Sequence, residues 1–196
     1  AEMNLIVMRK IVYLGSFLFL AFGCGGGATS NKLDFNSQLV VPSLAMVNRV
    51  ASLPATPSGS MPNGAFTYNG YAGFGAGSIS SLSEVDHISK MTMVANFQTD
   101  TFSGSMSQLT SDLTVADNMS ATYGGTINMS GSISGNTFNG VHSGVWTMDS
   151  TNGYIERPYN GVVSGVFGGS GATGIGGTTS SSYAGTNVTG LIVGER

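Results

Sequence analysis

From Ala65 onward, apolar and polar residues alternate with a period of two, the spacing that puts successive side chains on opposite faces of a β-strand. Ile127, Met129, Gly131 and Ile133 alternate with Thr126, Asn128, Ser130 and Ser132. Ser134-Gly135-Asn136 suits a tight reversal, and beyond it Phe138, Gly140, His142, Gly144, Trp146 and Met148 share one face. Asn139, Val141, Ser143, Val145 and Thr147 occupy the other, so the two runs predict a hairpin. An earlier pair has the same design. Met91, Met93, Ala95 and Phe97 lead to Gln98-Thr99-Asp100, and Phe102, Gly104 and Met106 return. The four-residue pattern Thr101-Phe102-Ser103-Gly104 recurs as Thr137-Phe138-Asn139-Gly140.

Composition points the same way. Thirty glycines and only 9% charged residues leave Ser, Thr and Asn to supply the polarity. Each glycine costs a helix about 1 kcal/mol, and Ser, Thr and Asn prefer caps, turns and strands. With further candidate strands at 66–74, 159–167, 172–179 and 188–194, the chain is expected to be all-β. The prediction is a single eight-stranded antiparallel β-barrel over residues 64–196, its interior filled by side chains. Inward glycines at 140, 144, 165 and 190 would bend the strands and make room for the rings of Phe138, Trp146 and Phe167.

The first 63 residues read differently. Met8-Arg9-Lys10 precedes the mostly apolar run Ile11–Phe22, a basic segment and an apolar segment in the order of a secretory signal peptide. Translation is expected to start at Met8, with residues 1–23 forming the signal peptide and the residues upstream of it. Ala21-Phe22-Gly23-Cys24 resembles a bacterial lipobox, which implies that Cys24, the one cysteine, is acylated and tethers the chain to a membrane. Residues 24–63 are expected to be the lipidated cysteine and a Gly- and Pro-containing tether, with only Leu39–Val50 apolar enough for a short strand or helix packed on the barrel.

Gly161-Val162-Val163-Ser164-Gly165-Val166-Phe167-Gly168, the run Ala172-Thr173-Gly174-Ile175-Gly176-Gly177-Thr178, and the closing Gly190-Leu191-Ile192-Val193-Gly194 together resemble the barrel signature of the transferrin-binding protein B family. Factor H-binding protein and other surface lipoproteins exported through the Slam translocon are similar in architecture. The resemblance covers roughly residues 65–196 and the leader. It implies a binding module displayed at the outer membrane, with an export translocon as one partner and a protein or other macromolecule as the other. It does not identify the ligand.

Catalytic and cofactor motifs are weak. Gly169-Ser170-Gly171-Ala172-Thr173-Gly174 spells a dinucleotide fingerprint, but Ile175-Gly176-Gly177-Thr178-Thr179 behind it cannot supply the helix whose N-terminus would hold a pyrophosphate. It is read as a glycine-rich turn. No Gly-x-Ser-x-Gly elbow is present, and Asp112, Asp117, Asp149 and Glu156 fall at turn-like positions, so an enzyme is not expected and no cofactor is implied. The two histidines, His87 and His142, lack partners at metal-ligand spacing. His142, Trp146 and Tyr123 are the candidates for lining a pocket for haem or another flat ligand. With 7 Lys and Arg against 10 Asp and Glu, nucleic acid is not an expected partner.

The expectation is therefore a surface-exposed bacterial lipoprotein acting as a binding module. The alternatives are a lipocalin-like small-ligand carrier, for haem among others, and a structural or adhesive envelope lipoprotein. The segments 75–86, 110–123 and 151–159 are the expected contact regions, because loops there interrupt the strand pattern.

Overall fold

The computed structural model describes residues 40–77, 79, 85, 87–111, 121–150, 153–183 and 185–196. The predicted signal peptide, Cys24 and the predicted tether up to residue 39 lie outside them. Nine antiparallel strands are described: β1 Ala65–Ala76, β2 His87–Asn96, β3 Thr101–Ser111, β4 Ala121–Ser134, β5 Thr137–Ser150, β6 Gly153–Pro158, β7 Gly161–Gly168, β8 Gly174–Tyr183 and β9 Thr186–Glu195. The sheet order runs β4-β3-β2-β1-β9-β8-β7-β5, and the additional β4–β5 pairing closes it into an eight-stranded barrel. The all-β barrel expected from the alternation is thus the fold that forms.

The ninth strand, β6, occupies a segment expected to be a loop. It pairs with Val145–Ser150 of β5, whereas β7 pairs with Thr137–His142 of the same strand. The register against β5 is the same on both sides of Tyr159 and Asn160, so β6 and β7 are one line of chain with a two-residue interruption. At the interruption the Tyr159 amide donates to the Gly144 carbonyl at 2.9 Å, while the Gly144 amide donates to the Asn160 side chain at 3.3 Å. A side-chain oxygen stands there in place of a ladder carbonyl. All six β6 residues are exposed, so no inside-outside alternation marked it in the sequence.

The inward face is the one the alternation assigns. Met91, Met93, Ala95, Phe102, Met106, Ile127, Met129, Ile133, Phe138 and Trp146 all belong to one core cluster. Glycines make the aromatic packing possible. A side-chain carbon at Gly165 would lie 2.4 Å from the Phe138 ring, and one at Gly140 would lie 2.8 Å from the Phe102 ring. Phe102, Phe138 and Phe167 consequently follow one another edge to face at centroid distances of 5.4 Å, and Tyr68 joins Phe167 at 5.8 Å.

Residues 40–64 are more ordered than a tether. The helix alternative for the apolar stretch is realised as α1, Val41–Ala51, with Pro42 in its first turn, where a missing N–H costs nothing, and Arg49 in its last turn, where a cation complements the helix dipole. α1 lies outside the barrel along β8, β9 and β1. The outward Gly174 of β8 admits it, because a side-chain carbon there would stand 2.8 Å from Leu53 and 3.3 Å from Val50. The bidentate pair between Arg49 and Glu195 fixes its C-terminal end to β9.

The segment after α1, expected to continue the tether to residue 63, is instead bonded across one end of the barrel. Its Thr56 amide donates to the Phe167 carbonyl at 2.9 Å, the Thr56 hydroxyl to the Gly169 carbonyl at 2.7 Å, and the Gly169 amide to Pro54 at 2.8 Å. These bonds are backbone-directed, so no apolar period announces them. The β2–β3, β4–β5 and β7–β8 turns share this capped end, and Gly169–Ala172 is a turn, as expected, rather than a nucleotide loop.

Candidate functional site

By the antiparallel order, the connections β1–β2, β3–β4, β5–β6 and β8–β9 all leave from the end of the barrel opposite the cap. The three segments expected to make contacts therefore emerge on one side of the molecule. Their described parts include Tyr123, the β6 strand and Tyr159; Asp112 and Asp117 lie outside the described residues. Beyond the last β3–β4 pair, Ser107 with Thr126, residues Ala121–Gly125 pair only with β5. Together with β5 and β6 they form a three-stranded ribbon. Tyr123, Met148 and Ile155 stand opposite one another across it, as do Gly125, Trp146 and Arg157.

The outward face of the ribbon carries Asp149, Tyr154 and Glu156, with the Tyr154 hydroxyl donating to Glu156 at 2.9 Å. Hydrogen bonding to that carboxylate raises the tyrosine's pKa. The two acids are cross-strand neighbours of Tyr154 and Thr147, an exposed polar surface rather than a carboxyl pair enclosed for hydrolysis. Below the ribbon the barrel wall between β5 and β7 exposes Val141, Val162 and Val166, with Val141 and Val162 directly paired.

The candidates His142, Trp146 and Tyr123 all face inward but are not brought to one pocket. His142 is 1% exposed and stacks on Tyr159, the ring centroids 4.6 Å apart and the planes 16° from parallel. Trp146 meets the edge of Phe74 at 6.1 Å, and Phe74 meets Tyr159 at 5.1 Å. These four side chains make one contiguous cluster in the half of the barrel away from the cap. Tyr123 turns instead to His87, edge to face at 5.9 Å. The stacked imidazole presents no open face to a flat ligand.

Burial is the largest influence on His142 and lowers its pKa, so the ring is held neutral; the nearby carbonyls of Tyr159 and Ser180 oppose the shift. Burial likewise raises the Tyr159 phenol, against the effect of Thr179 and Ser181. The Tyr159 and Thr179 hydroxyls are 3.1 Å apart and bonded. Sequence alternation placed His142 on the inward face. It could not place Tyr159, Thr179 and Ser181 around it, because that grouping depends on which strands are neighbours.

The family model for the C-lobe and N-lobe β-barrels of transferrin-binding protein B matches residues 61–196. No curated protein matches the chain in sequence. Among solved structures, a mutant transferrin-binding protein B of Haemophilus parasuis is similar at 16% identity with a TM-score of 0.46, over 72% of this chain and 28% of that one. The isotype 1 protein of serogroup B Neisseria meningitidis is similar at 21% identity and a TM-score of 0.44, over 72% of this chain and 27% of that one. The attachment invasion locus protein Ail of Yersinia pestis is similar at 9% identity and 0.43, over 68% of this chain and 97% of that one. This chain thus spans little more than a quarter of the transferrin-binding proteins' length. The match over residues 61–196 covers the entire closed barrel, and the chain belongs to the family of transferrin-binding protein B β-barrels.

Proposed function

We propose that this protein is a lipoprotein of the bacterial outer membrane, anchored through acylated Cys24 and exposed at the cell surface, where its barrel acts as a binding module for a protein ligand. It acts by binding and not by catalysis. The observation that carries this reading is the polarity of the barrel. One end is closed by residues 53–61, and every long connection leaves from the other, beside the exposed ribbon of β4, β5 and β6. A rigid scaffold with variable segments gathered at one end is the arrangement recurrently used for recognition. Membership of a family described by transferrin binding supports a protein as the ligand class, without assigning transferrin to this chain.

The leader supports the anchor and, by resemblance, passage through an export translocon. Buried side chains occupy the barrel core, so the small-ligand carrier gains no observation in its favour. Protease shaving of intact cells, with mass spectrometry of the released peptides and of the N-terminal lipid, tests the proposal. Release of barrel peptides together with a lipidated Cys24 is expected. Peptides that appear only after the outer membrane is opened would overturn surface exposure, and an unmodified Cys24 in the membrane fraction would overturn the anchor.

A further inference from the structure

The His142 ring poses a hydrogen-bonding problem that the described protein atoms do not solve. It is 1% exposed, and neither Nδ1 nor Nε2 has a hydrogen-bond partner; the buried Ser181 hydroxyl has none either. Buried polar groups are partnered in all but a few cases, because a donor or acceptor taken out of water without a partner is a net loss. Three such atoms within one small region are not three unrelated accidents.

The register shows why they are neighbours. His142 of β5 is paired with Gly161 of β7, and Gly161 is paired with Ser181 of β8. His142 and Ser181 therefore flank the same glycine across two strand spacings of about 4.8 Å each. Gly161 has no side chain because the Ser180 carbonyl already crowds the place one would take, and His142 Nε2 lies 3.0 Å from that same place. Tyr159 stacks on the imidazole, and its hydroxyl is bonded to Thr179, two residues from Ser181 on the same face of β8.

The carbonyls of Tyr159 and Ser180 near the ring offer only half a solution. A neutral imidazole has one N–H and one bare nitrogen lone pair. A carbonyl can accept from the first but has nothing to give the second. One ring nitrogen thus requires a donor whichever tautomer is present, and neither the Tyr159 nor the Thr179 hydroxyl is bonded to it. A water has both the donor and the acceptor that His142 and Ser181 together lack, and polar sites of this kind in protein interiors are where ordered water is found.

We infer that the barrel holds one structural water between His142 and Ser181, donating to the unprotonated ring nitrogen of His142 and hydrogen-bonded to the Ser181 hydroxyl.

A crystal structure at a resolution that reveals buried solvent, combined with 15N NMR of the imidazole, tests this. The expected result is a solvent peak within hydrogen-bond distance of both His142 and Ser181 Oγ, one protonated ring nitrogen, and nuclear Overhauser transfer from a long-lived water to the His142 ring protons. In Ser181→Ala the peak and the transfer should both be lost. A direct bond from the Ser181 hydroxyl to the ring with no solvent peak would overturn the inference. So would a peak that persists unchanged in Ser181→Ala. Because the first two measurements use the natural chain, failure of the variant to fold leaves the test standing.

Discussion

The Phe138 ring stands over Gly165, so close that a side-chain carbon on residue 165 would lie 2.4 Å from the ring and equally near the Gly176 carbonyl. Ring and backbone block the position together, and one cannot yield without moving the β7–β8 ladder. Gly165→Ala is expected to destabilise the barrel by about 1–3 kcal/mol, the usual cost of overpacking. Gly59→Ala, where nothing lies within 4 Å, is expected to change stability by less than about 0.5 kcal/mol. Urea denaturation of the two variants measures the contrast.

The buried Tyr68 hydroxyl donates to the Ala172 carbonyl at 2.6 Å, joining β1 to the β7–β8 turn across the capped end. Burial pushes its phenol up to about 12. Tyr68→Phe retains the ring against Phe167 but leaves that carbonyl without the phenol, for an expected loss of about 1–3 kcal/mol. The same titration reads it, and an unchanged midpoint would mean that the carbonyl finds another donor.

Thr56 anchors the cap through its hydroxyl as well as its amide. Thr56→Val keeps the shape and removes the hydroxyl bond to the Gly169 carbonyl, with an expected cost of about 1 kcal/mol. Hydrogen exchange should locate the effect. The amides of Thr56 and Gly169 are expected to exchange faster, with β4 and β5 unaffected.

His142 gives the barrel an acid sensitivity whose sign follows from its burial. Its native pKa is below the ordinary 6.5, so the unfolded chain binds a proton more readily than the folded one. The stability contributed by the neutral ring is present above pH 6.5 and is lost as pH falls from there to the lowered native value. Thermal melts between about pH 7.5 and pH 4.5 should show a decline in this window that His142→Phe diminishes. Trp146, the one tryptophan, is buried against Phe74, and the red shift of its emission on unfolding reports the transition.

Much of the barrel was legible because burial writes a period into the sequence. Met91 to Met106 and Ile127 to Met148 alternate as they do because one face meets a close-packed core and the other meets water. Inward glycines were legible for a related reason, since a ring such as Phe138 needs a neighbour without a side chain. β6 was not legible, because residues exposed on both faces record no difference between them. The cap was missed because it is held largely through backbone groups such as the Thr56 amide and the Pro54 carbonyl, which leave no apolar period in the sequence. The grouping of His142 with Ser181 depends on the β5–β7–β8 order, a property of long-range pairing.

The closing of one end of the barrel by residues 53–61 also separates two kinds of change that the chain can tolerate. The β7–β8 turn beneath the cap is bound into it through the Gly169 amide and the Pro54 carbonyl, so lengthening that turn would unseat the plug. Among the described residues, none at the other end is bonded to the cap. A foreign peptide grafted between Ser111 and Ala121 would be presented from a stave already secured at its opposite tip. In engineering terms the molecule is a display scaffold with a fixed base and an interchangeable crown.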